Sequence, residues 1–204
     1  MAKPIRKKKY SRPITNNRLS RLQLKLAIAI KGIKKKNQHL VEEWLRKFAD
    51  YIHAEDNKGF KSENLGAFKA GDIIYAEFGY NVGSEYGGRH YAVVIENSPL
   101  KANMIMVVPL SSLDASKTKS DVHPNDAYLG ELPQINAISN MPKGTKSFAV
   151  INQTRALAKQ RIIAPTNPYH ERIYINGGLL SLIYKKIQGR YTKYGINRKD
   201  KESN

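Results

Sequence analysis

The chain has no cysteine among its 204 residues, which excludes disulfide bonds, thiolate metal sites and a cysteine nucleophile. No apolar run approaches the roughly 20 residues that a membrane-spanning helix requires. A basic N-terminus precedes the apolar segment 24–30, but Lys25 interrupts that segment, which is also too short for a secretory signal. We therefore expect a cytoplasmic protein with no membrane segment.

Signatures of metal and nucleotide sites are missing as well. The five histidines, at positions 39, 53, 90, 123 and 170, show none of the spacings typical of a metal-binding helix. The segment GSEYGG, residues 83–88, lacks the Gly-Lys-Ser/Thr of a phosphate-binding P-loop and the spacing of a dinucleotide fingerprint. We predict neither a metal nor a cofactor.

Positive charge is abundant and unevenly placed. The formal net charge is +18, and residues 1–70 hold 18 Lys and Arg against 6 Asp and Glu, whereas residues 71–204 hold 17 against 11. A surplus of this size indicates a polyanionic partner, most simply nucleic acid. An acidic protein or an anionic membrane surface would also fit the charge.

Residues 1–70 are predicted to be a basic extension of a separate domain, residues 71–204. A basic arm, residues 1–13, comes first, and a polar linker, residues 55–72, marks the boundary. Between them, apolar residues at three- and four-residue steps predict two amphipathic helices, 17–31 capped by Asn17 and 38–53 capped by Asn37. Their apolar faces either pack on the domain or a second subunit, or form a separate module that binds RNA or a partner.

The domain opens with three β-rich runs, residues 73–79, 91–95 and 104–110. The loop between the first two, residues 81–90, contains three glycines and ends in Arg89 and His90. The remaining predicted elements are strands at 126–130, 148–153 and 161–163, an exposed turn or edge at 155–158, an edge strand or helix lead-in at 171–175 and a helix from 179 to about 194. The long polar segment 114–146 is otherwise predicted to be a functional or mobile loop.

The order GDI…FG-x-N-x-GSE-x-GG…AVVI…VVPLSS, followed by Gln-x-Arg at 153–155, resembles the MazF/PemK family of toxin endoribonucleases. The likeness covers about residues 71–194. It implies an α+β, mainly β fold: a small SH3-like β-barrel with a C-terminal helix. It further implies a homodimer that cleaves single-stranded RNA without a metal, with the RNA in a groove at the dimer interface, and a cognate antitoxin that occupies that groove.

Cleavage of RNA without a metal needs few groups, because the ribose 2′-hydroxyl already lies beside the phosphorus. A base must take its proton, an acid must protonate the leaving 5′-oxygen, and donors must stabilise the charged phosphorane. His90 suits proton transfer near neutral pH, Arg89 offers a fork of donors, and the Ser111 hydroxyl can donate to a phosphate oxygen. We expect the RNA to be held by eight further residues: Ser84, Glu85, Tyr86, Gly87, Gly88, Ser112, Gln153 and Arg155.

The family places an Arg just after GSE-x-GG and a Thr or Ser at the end of the third strand as its catalytic pair. Ser111 takes the second position, but His90 takes the Arg position and Arg89 lies one residue earlier. Since neighbours in a strand face opposite sides, Arg89 and His90 are not expected to enter the site together. Either His90 acts as acid or base with another charge stabiliser, or a one-residue adjustment restores Arg89, or cleavage is weakened or lost.

Two other functions therefore remain open. The same fold occurs in toxins that poison DNA gyrase without cutting RNA, and the His-for-Arg departure favours such a non-catalytic binding protein. A nucleic-acid-binding regulator that uses the basic extension as its footprint is the third possibility.

Overall fold

A computed structural model describes residues 13–57 and 59–192. Except for Pro13, the predicted basic arm lies outside the described residues, as does everything after Thr192. The chain divides into two compact units, Met1–Ala49 and Asp50–Asn204. No helix of the described part is long and apolar enough to cross a membrane.

Two helices occupy the N-terminal region, as the apolar periodicity predicts. Helix α1 spans Asn16–Gly32 and α2 spans Lys35–Asp56. The predicted caps are wrong: α1 is capped by Thr15, whose hydroxyl accepts from the Arg18 amide at 3.4 Å, and α2 begins before Asn37. The basic connector expected at residues 31–37 is reduced to Ile33 and Lys34, since lysine is a good helix former and α2 already begins at Lys35.

The second unit is built on an eight-stranded sheet in which all pairings are antiparallel. Its strands are β1 Asp72–Gly79, β2 Gly88–Val94, β3 Met104–Leu113, β4 Ala127–Glu131, β5 Lys146–Ala149, β6 Arg155–Ala158, β7 Ile162–Ala164 and β8 Ile173–Tyr174. The long strand β3 pairs with β2 and β6 over its first part and with β5 over its last four residues. The main path, β4-β5-β3-β2-β1-β7, is open, so SH3-like closure of the barrel is not among the pairings of the described strands.

Strand alternation divides the core into two clusters on opposite faces of β1 and β2. Ile73 and Val93 belong to the cluster that also receives helix α4, Gly177–Thr192. Ile74 and Ala92 belong to the other cluster. The same alternation holds at the start of β2, where the predicted site residues Arg89 and His90 lie.

The predicted polar linker is in part a folded segment. Leu65 is 7% and Phe68 1% exposed, and both pack into the second core cluster. The Lys159 ammonium and the Arg172 guanidinium lie 5.4 and 4.4 Å from the centre of the Phe68 ring, in cation–π geometry. The sequence pattern did not reveal these two buried apolar side chains because most of their neighbours are polar. The boundary between the basic extension and the domain at residue 70 stays a prediction.

Three local predictions need correction. The segment 114–146 contains a short helix, α3 Pro133–Ile138, which begins with proline at its first helical position. The strand predicted at 148–153 ends at Ala149, and Ile151–Gln153 forms a 3₁₀ turn. Residues 155–158 are a strand that pairs only with β3 among the described strands, so the edge alternative is confirmed and the turn is wrong, and the segment is not fully exposed, since the Leu157 side chain is buried.

Candidate functional site

The glycine-rich loop between β1 and β2 is closed by close backbone contacts. The strands end in a bulge where Gly79 pairs with Gly88. A Cβ at Gly87 would lie 2.7 Å from the Gly79 carbonyl oxygen, so only glycine fits there. Asn81 spans the loop, its Nδ2 donating to the Phe78 carbonyl at 3.1 Å and the Tyr86 carbonyl at 2.7 Å. The loop therefore presents Tyr86 in a defined position.

Tyr86 and His90 form one side-chain cluster. Their ring centres are 4.2 Å apart, and each also meets the buried Phe78 ring edge-on at 6.2 Å. His90 Nε2 lies 2.9 Å from the Gly87 carbonyl oxygen. The Tyr86 hydroxyl donates to the Leu110 carbonyl at 3.0 Å, which ties the loop to the end of β3.

Burial changes the ionisation of both rings. Desolvation lowers the pKa of His90 against the opposing influence of the Gly87 and Leu110 carbonyls and Glu77, because a buried imidazolium loses its hydration. Desolvation likewise raises the pKa of Tyr86, against a hydrogen bond with the Ser111 side chain that lowers it. The cluster thus holds a neutral imidazole at pH 7, and Ser111 joins it through Tyr86.

Arg89 has different partners from its neighbour. It pairs with Glu77 directly across the β1–β2 ladder, and its Nε donates to Glu77 Oε2 at 3.2 Å. Glu77 is only 6% exposed. The β1–β2 irregularity lies between Glu77 and Gly79, so the pairing of His90 with Ala76 is regular and the ladder contains no one-residue adjustment at His90.

A cavity of about 510 Å³ adjoins these residues. Its wall includes all three predicted catalytic residues, Arg89, His90 and Ser111, together with Ser112. The expectation that Arg89 and His90 do not enter the site together is therefore wrong: their side chains have different partners, but both residues border this cavity. Helix α3, which the sequence reasoning missed, supplies Ile135 and Ile138 to the opposite side. A small apolar-walled cavity with a few converging polar groups is typical of a binding site.

Gln153 is hydrogen-bonded both to the glycine-rich loop and to Arg155. Gln153 Oε1 accepts from the Tyr86 amide at 2.9 Å and from Arg155 Nη2 at 3.1 Å, while its Nε2 donates to the Ser84 carbonyl at 3.2 Å. The Arg155 guanidinium lies 5.8 Å from the centre of the Phe78 ring. The cationic side chain of Arg155 and the His90 ring therefore both lie near the Phe78 ring.

The other predicted RNA-binding residues are distributed along the loop. Ser84, Glu85 and Gly88 are exposed, and Gly87 lies against β1. Sequence reasoning overlooked Asn81 and Glu77. The first could have been found because it stands in the quoted FG-x-N motif, whereas the second needed the strand register.

The chain is similar to one protein family and to solved structures of toxins. Residues 69–173, about half of the chain, match the family described as PemK-like, MazF-like toxin of type II toxin–antitoxin system. A search of curated proteins finds no match. A crystal structure of MazF from Deinococcus radiodurans is similar at 18% identity, covering 60% of this chain and 94% of that one, with a TM-score of 0.40. A MazE–MazF structure from the same organism has 20% identity, 60% and 93% coverage and a TM-score of 0.36. The family match includes every predicted site residue.

Proposed function

Because the chain belongs to the family of PemK-like, MazF-like toxins of type II toxin–antitoxin systems, we propose that it is a metal-independent endoribonuclease that cleaves single-stranded RNA, including mRNA, in the cytoplasm. The observation that carries the proposal is the cluster of His90, Tyr86 and Ser111 beside a cavity and a nearby cation. The reaction is attack of the ribose 2′-hydroxyl on the adjacent phosphorus, giving a 2′,3′-cyclic phosphate and a 5′-hydroxyl.

His90 is the group that moves the proton. A carbonyl oxygen only accepts, so the contact of Nε2 with the Gly87 carbonyl makes Nε2–H the donor, and Nδ1 carries the lone pair of the neutral ring. Nδ1 takes the proton of the 2′-hydroxyl, and the resulting imidazolium, stabilised by the Gly87 and Leu110 carbonyls, returns a proton to the leaving 5′-oxygen. The lowered pKa supports the base role, since the ring is neutral at pH 7.

The phosphorane needs donors, which Ser111 and Arg155 supply. Ser111 lies in the cavity wall and contacts Tyr86, and Arg155 lies against the same Phe78 ring as His90. Arg89 is held by Glu77, and we assign it to positioning the substrate in the cavity. This assignment follows the first of the three sequence-based alternatives, in which His90 acts as acid or base with a different charge stabiliser, and gives His90 both roles.

The proposal extends to assembly. The family description supports a cognate antitoxin as partner, and we propose a homodimer with an SH3-like barrel in each subunit and the RNA groove at their interface. The antitoxin would occupy that groove through an acidic segment, which suits the +18 charge of the toxin.

The test is incubation of the purified full chain with a mixed single-stranded RNA pool in EDTA, followed by mapping of the product ends. We expect discrete fragments with 5′-hydroxyl ends for the wild type, loss of cleavage in His90→Ala, and strong reduction in Arg155→Ala. Arg89→Ala should keep the cleavage chemistry, and the exposed Lys69→Ala is the matched control. Cleavage that survives in His90→Ala but disappears in Arg89→Ala would contradict the assigned roles.

A non-catalytic binding toxin is the second candidate, and the presence of His90 at the family's Arg position favours it. In that case the wild type would leave the RNA pool intact at every concentration, yet bind RNA or DNA gyrase tightly. A regulator would instead lose its salt-dependent nucleic-acid affinity when Lys34, Lys35 and Lys36 are neutralised.

A further inference from the structure

A second cavity, of about 520 Å³, lies between β4 and α4. Its wall carries four cationic side chains and one carboxylate: Lys119, Lys185, Lys186, Arg190 and Asp126. The cavity at the proposed catalytic residues has one such cation, Arg89. A concave surface with one sign of charge focuses the electrostatic field and concentrates counter-charges there.

Helix α4 turns one face toward this cavity. Leu182, Lys185, Lys186, Gly189 and Arg190 line the wall at three- and four-residue steps along the helix. At Gly189 a Cβ would meet no atom within 4 Å. The helix thus presents open space between its basic side chains, which leaves room for a ligand.

Two of the charged groups have structural contacts. Lys186 Nζ donates to the Pro124 carbonyl, and Asp126 Oδ1 accepts from the Ile151 amide at 2.9 Å. The one carboxylate that the described residues bring to the wall is therefore engaged with the backbone, whereas Lys119 and Lys185 are exposed. The half-buried ring of Tyr128 also borders the cavity, and a tyrosine beside cations is a combination that binds single-stranded nucleic acid by stacking and charge.

One short turn connects this cavity to the proposed catalytic cluster. The 3₁₀ turn Ile151–Gln153 is fastened at its first residue to Asp126, in the cavity wall, and at its last residue to the amide of Tyr86. The turn therefore links the wall of this cavity to the loop that carries Tyr86.

We propose that the β4–α4 cavity binds the phosphate groups of the RNA substrate away from the cleaved bond, with the Tyr128 ring stacking on a base. The inference rests on the proposed function, since it takes single-stranded RNA as the ligand. RNA is favoured over an acidic peptide because the cavity combines cations with an aromatic wall and adjoins the turn that supports the catalytic loop.

Binding is tested with a short 2′-O-methyl oligoribonucleotide, which cannot be cleaved by 2′-hydroxyl attack, using fluorescence anisotropy across a salt series. In the full chain, Lys185→Gln/Arg190→Gln should weaken binding about tenfold. The slope of log affinity against log salt should fall by about 1.4, since each lost single-strand phosphate contact removes about 0.7. The matched control, Lys69→Gln/Lys101→Gln, removes the same charge from exposed positions outside this cavity and should have a smaller effect.

A second pair of variants tests whether binding needs the open space of the cavity, independently of its charge. Gly189→Phe places a ring in the open space without changing charge and should also weaken oligonucleotide binding. The control Gly177→Phe places the same ring at the other end of α4, outside this cavity, where a Cβ also meets no atom within 4 Å, and should leave binding unchanged. A folded Gly189→Phe protein with wild-type affinity would overturn the proposal, as would equal losses in the Lys185/Arg190 and Lys69/Lys101 variants.

Competition identifies the ligand. A mononucleotide that saturates the cavity and displaces the oligonucleotide at comparable concentration would overturn RNA as its ligand. The same conclusion would follow if the Lys185→Gln/Arg190→Gln variant lost its affinity for polyglutamate but kept its affinity for the oligonucleotide. Cavity-dependent binding of the 2′-O-methyl oligonucleotide by a protein that cleaves no RNA would support this inference while contradicting the proposed nuclease.

Discussion

Arg89 donates to the buried carboxylate of Glu77 at 3.2 Å across the β1–β2 ladder. Its sequence neighbour His90 packs against Tyr86, with ring centres 4.2 Å apart. Two adjacent residues, each a candidate for the same catalytic position, thus have separate sets of partners because successive side chains of a strand leave on opposite faces. The consequences of this division can be measured.

The Arg89–Glu77 pair should stabilise the fold. We expect Arg89→Ala to lower the free energy of unfolding by about 1–2 kcal/mol, since Glu77 keeps its burial but loses a charged donor, an effect moderated by the 44% exposure of the Arg89 side chain. Urea denaturation of Arg89→Ala, Glu77→Gln and the double variant gives the coupling. Additive losses would contradict a direct interaction.

Folding stability should depend on the protonation of His90. The pKa of His90 is lowered in the folded chain, so the unfolded chain binds the proton more readily once the pH falls below about 6.5. Stability is therefore full above that pH and declines as the pH falls toward the folded-state pKa. Denaturation midpoints between pH 7 and pH 5 should decline less in His90→Gln than in the wild type, with the exposed His123→Gln as the comparison. An unchanged pH dependence in His90→Gln would argue against burial of a neutral ring.

The Tyr86 hydroxyl and ring should make separable contributions. Tyr86→Phe removes the hydrogen bond to the Leu110 carbonyl and should cost about 1 kcal/mol of stability, with moderate loss of cleavage because the ring still supports His90. Tyr86→Ala also removes the ring contacts and should cost about 2 kcal/mol more. Thermal denaturation and single-turnover cleavage measure the two effects. Equal effects of both variants would mean that the ring contact with His90 contributes nothing.

Gly87 should tolerate no side chain. In Gly87→Ala the new Cβ would lie 2.7 Å from the Gly79 carbonyl oxygen, so the loop must move, at a cost of about 1–3 kcal/mol typical of overpacking. Because the Gly87 carbonyl also holds the His90 ring, RNA cleavage should fall with stability. The control Gly189→Ala lies where a Cβ meets nothing. Wild-type melting and cleavage of Gly87→Ala would show that the loop has an alternative path.

Much of the fold could be predicted from local pattern. The apolar runs of β1, β2 and β3 and the periodicity of α1, α2 and α4 depend on neighbours within one element, and the structure confirms those elements with shifts at their ends. Helix α3 and the buried Phe68 were missed because polar neighbours concealed them. Their apolar side chains become buried only when strands that are distant in the sequence provide the surface on which they pack.

The sequence by itself determined the charge surplus, the absence of cysteine chemistry, the strand order around the glycine-rich loop and the family. Only the tertiary structure decided which partners each candidate residue has: His90 with Tyr86 and Phe78, Arg89 with Glu77, and Arg155 on the same aromatic ring as His90. The physical reason is that composition and periodicity are local properties. Partners such as Glu77 and Arg89, which lie 12 residues apart in the chain, are chosen by strand register, and the bulge at Gly79 and Gly88 sets the position of the loop that carries Tyr86. Register and bulge arise only when the chain packs.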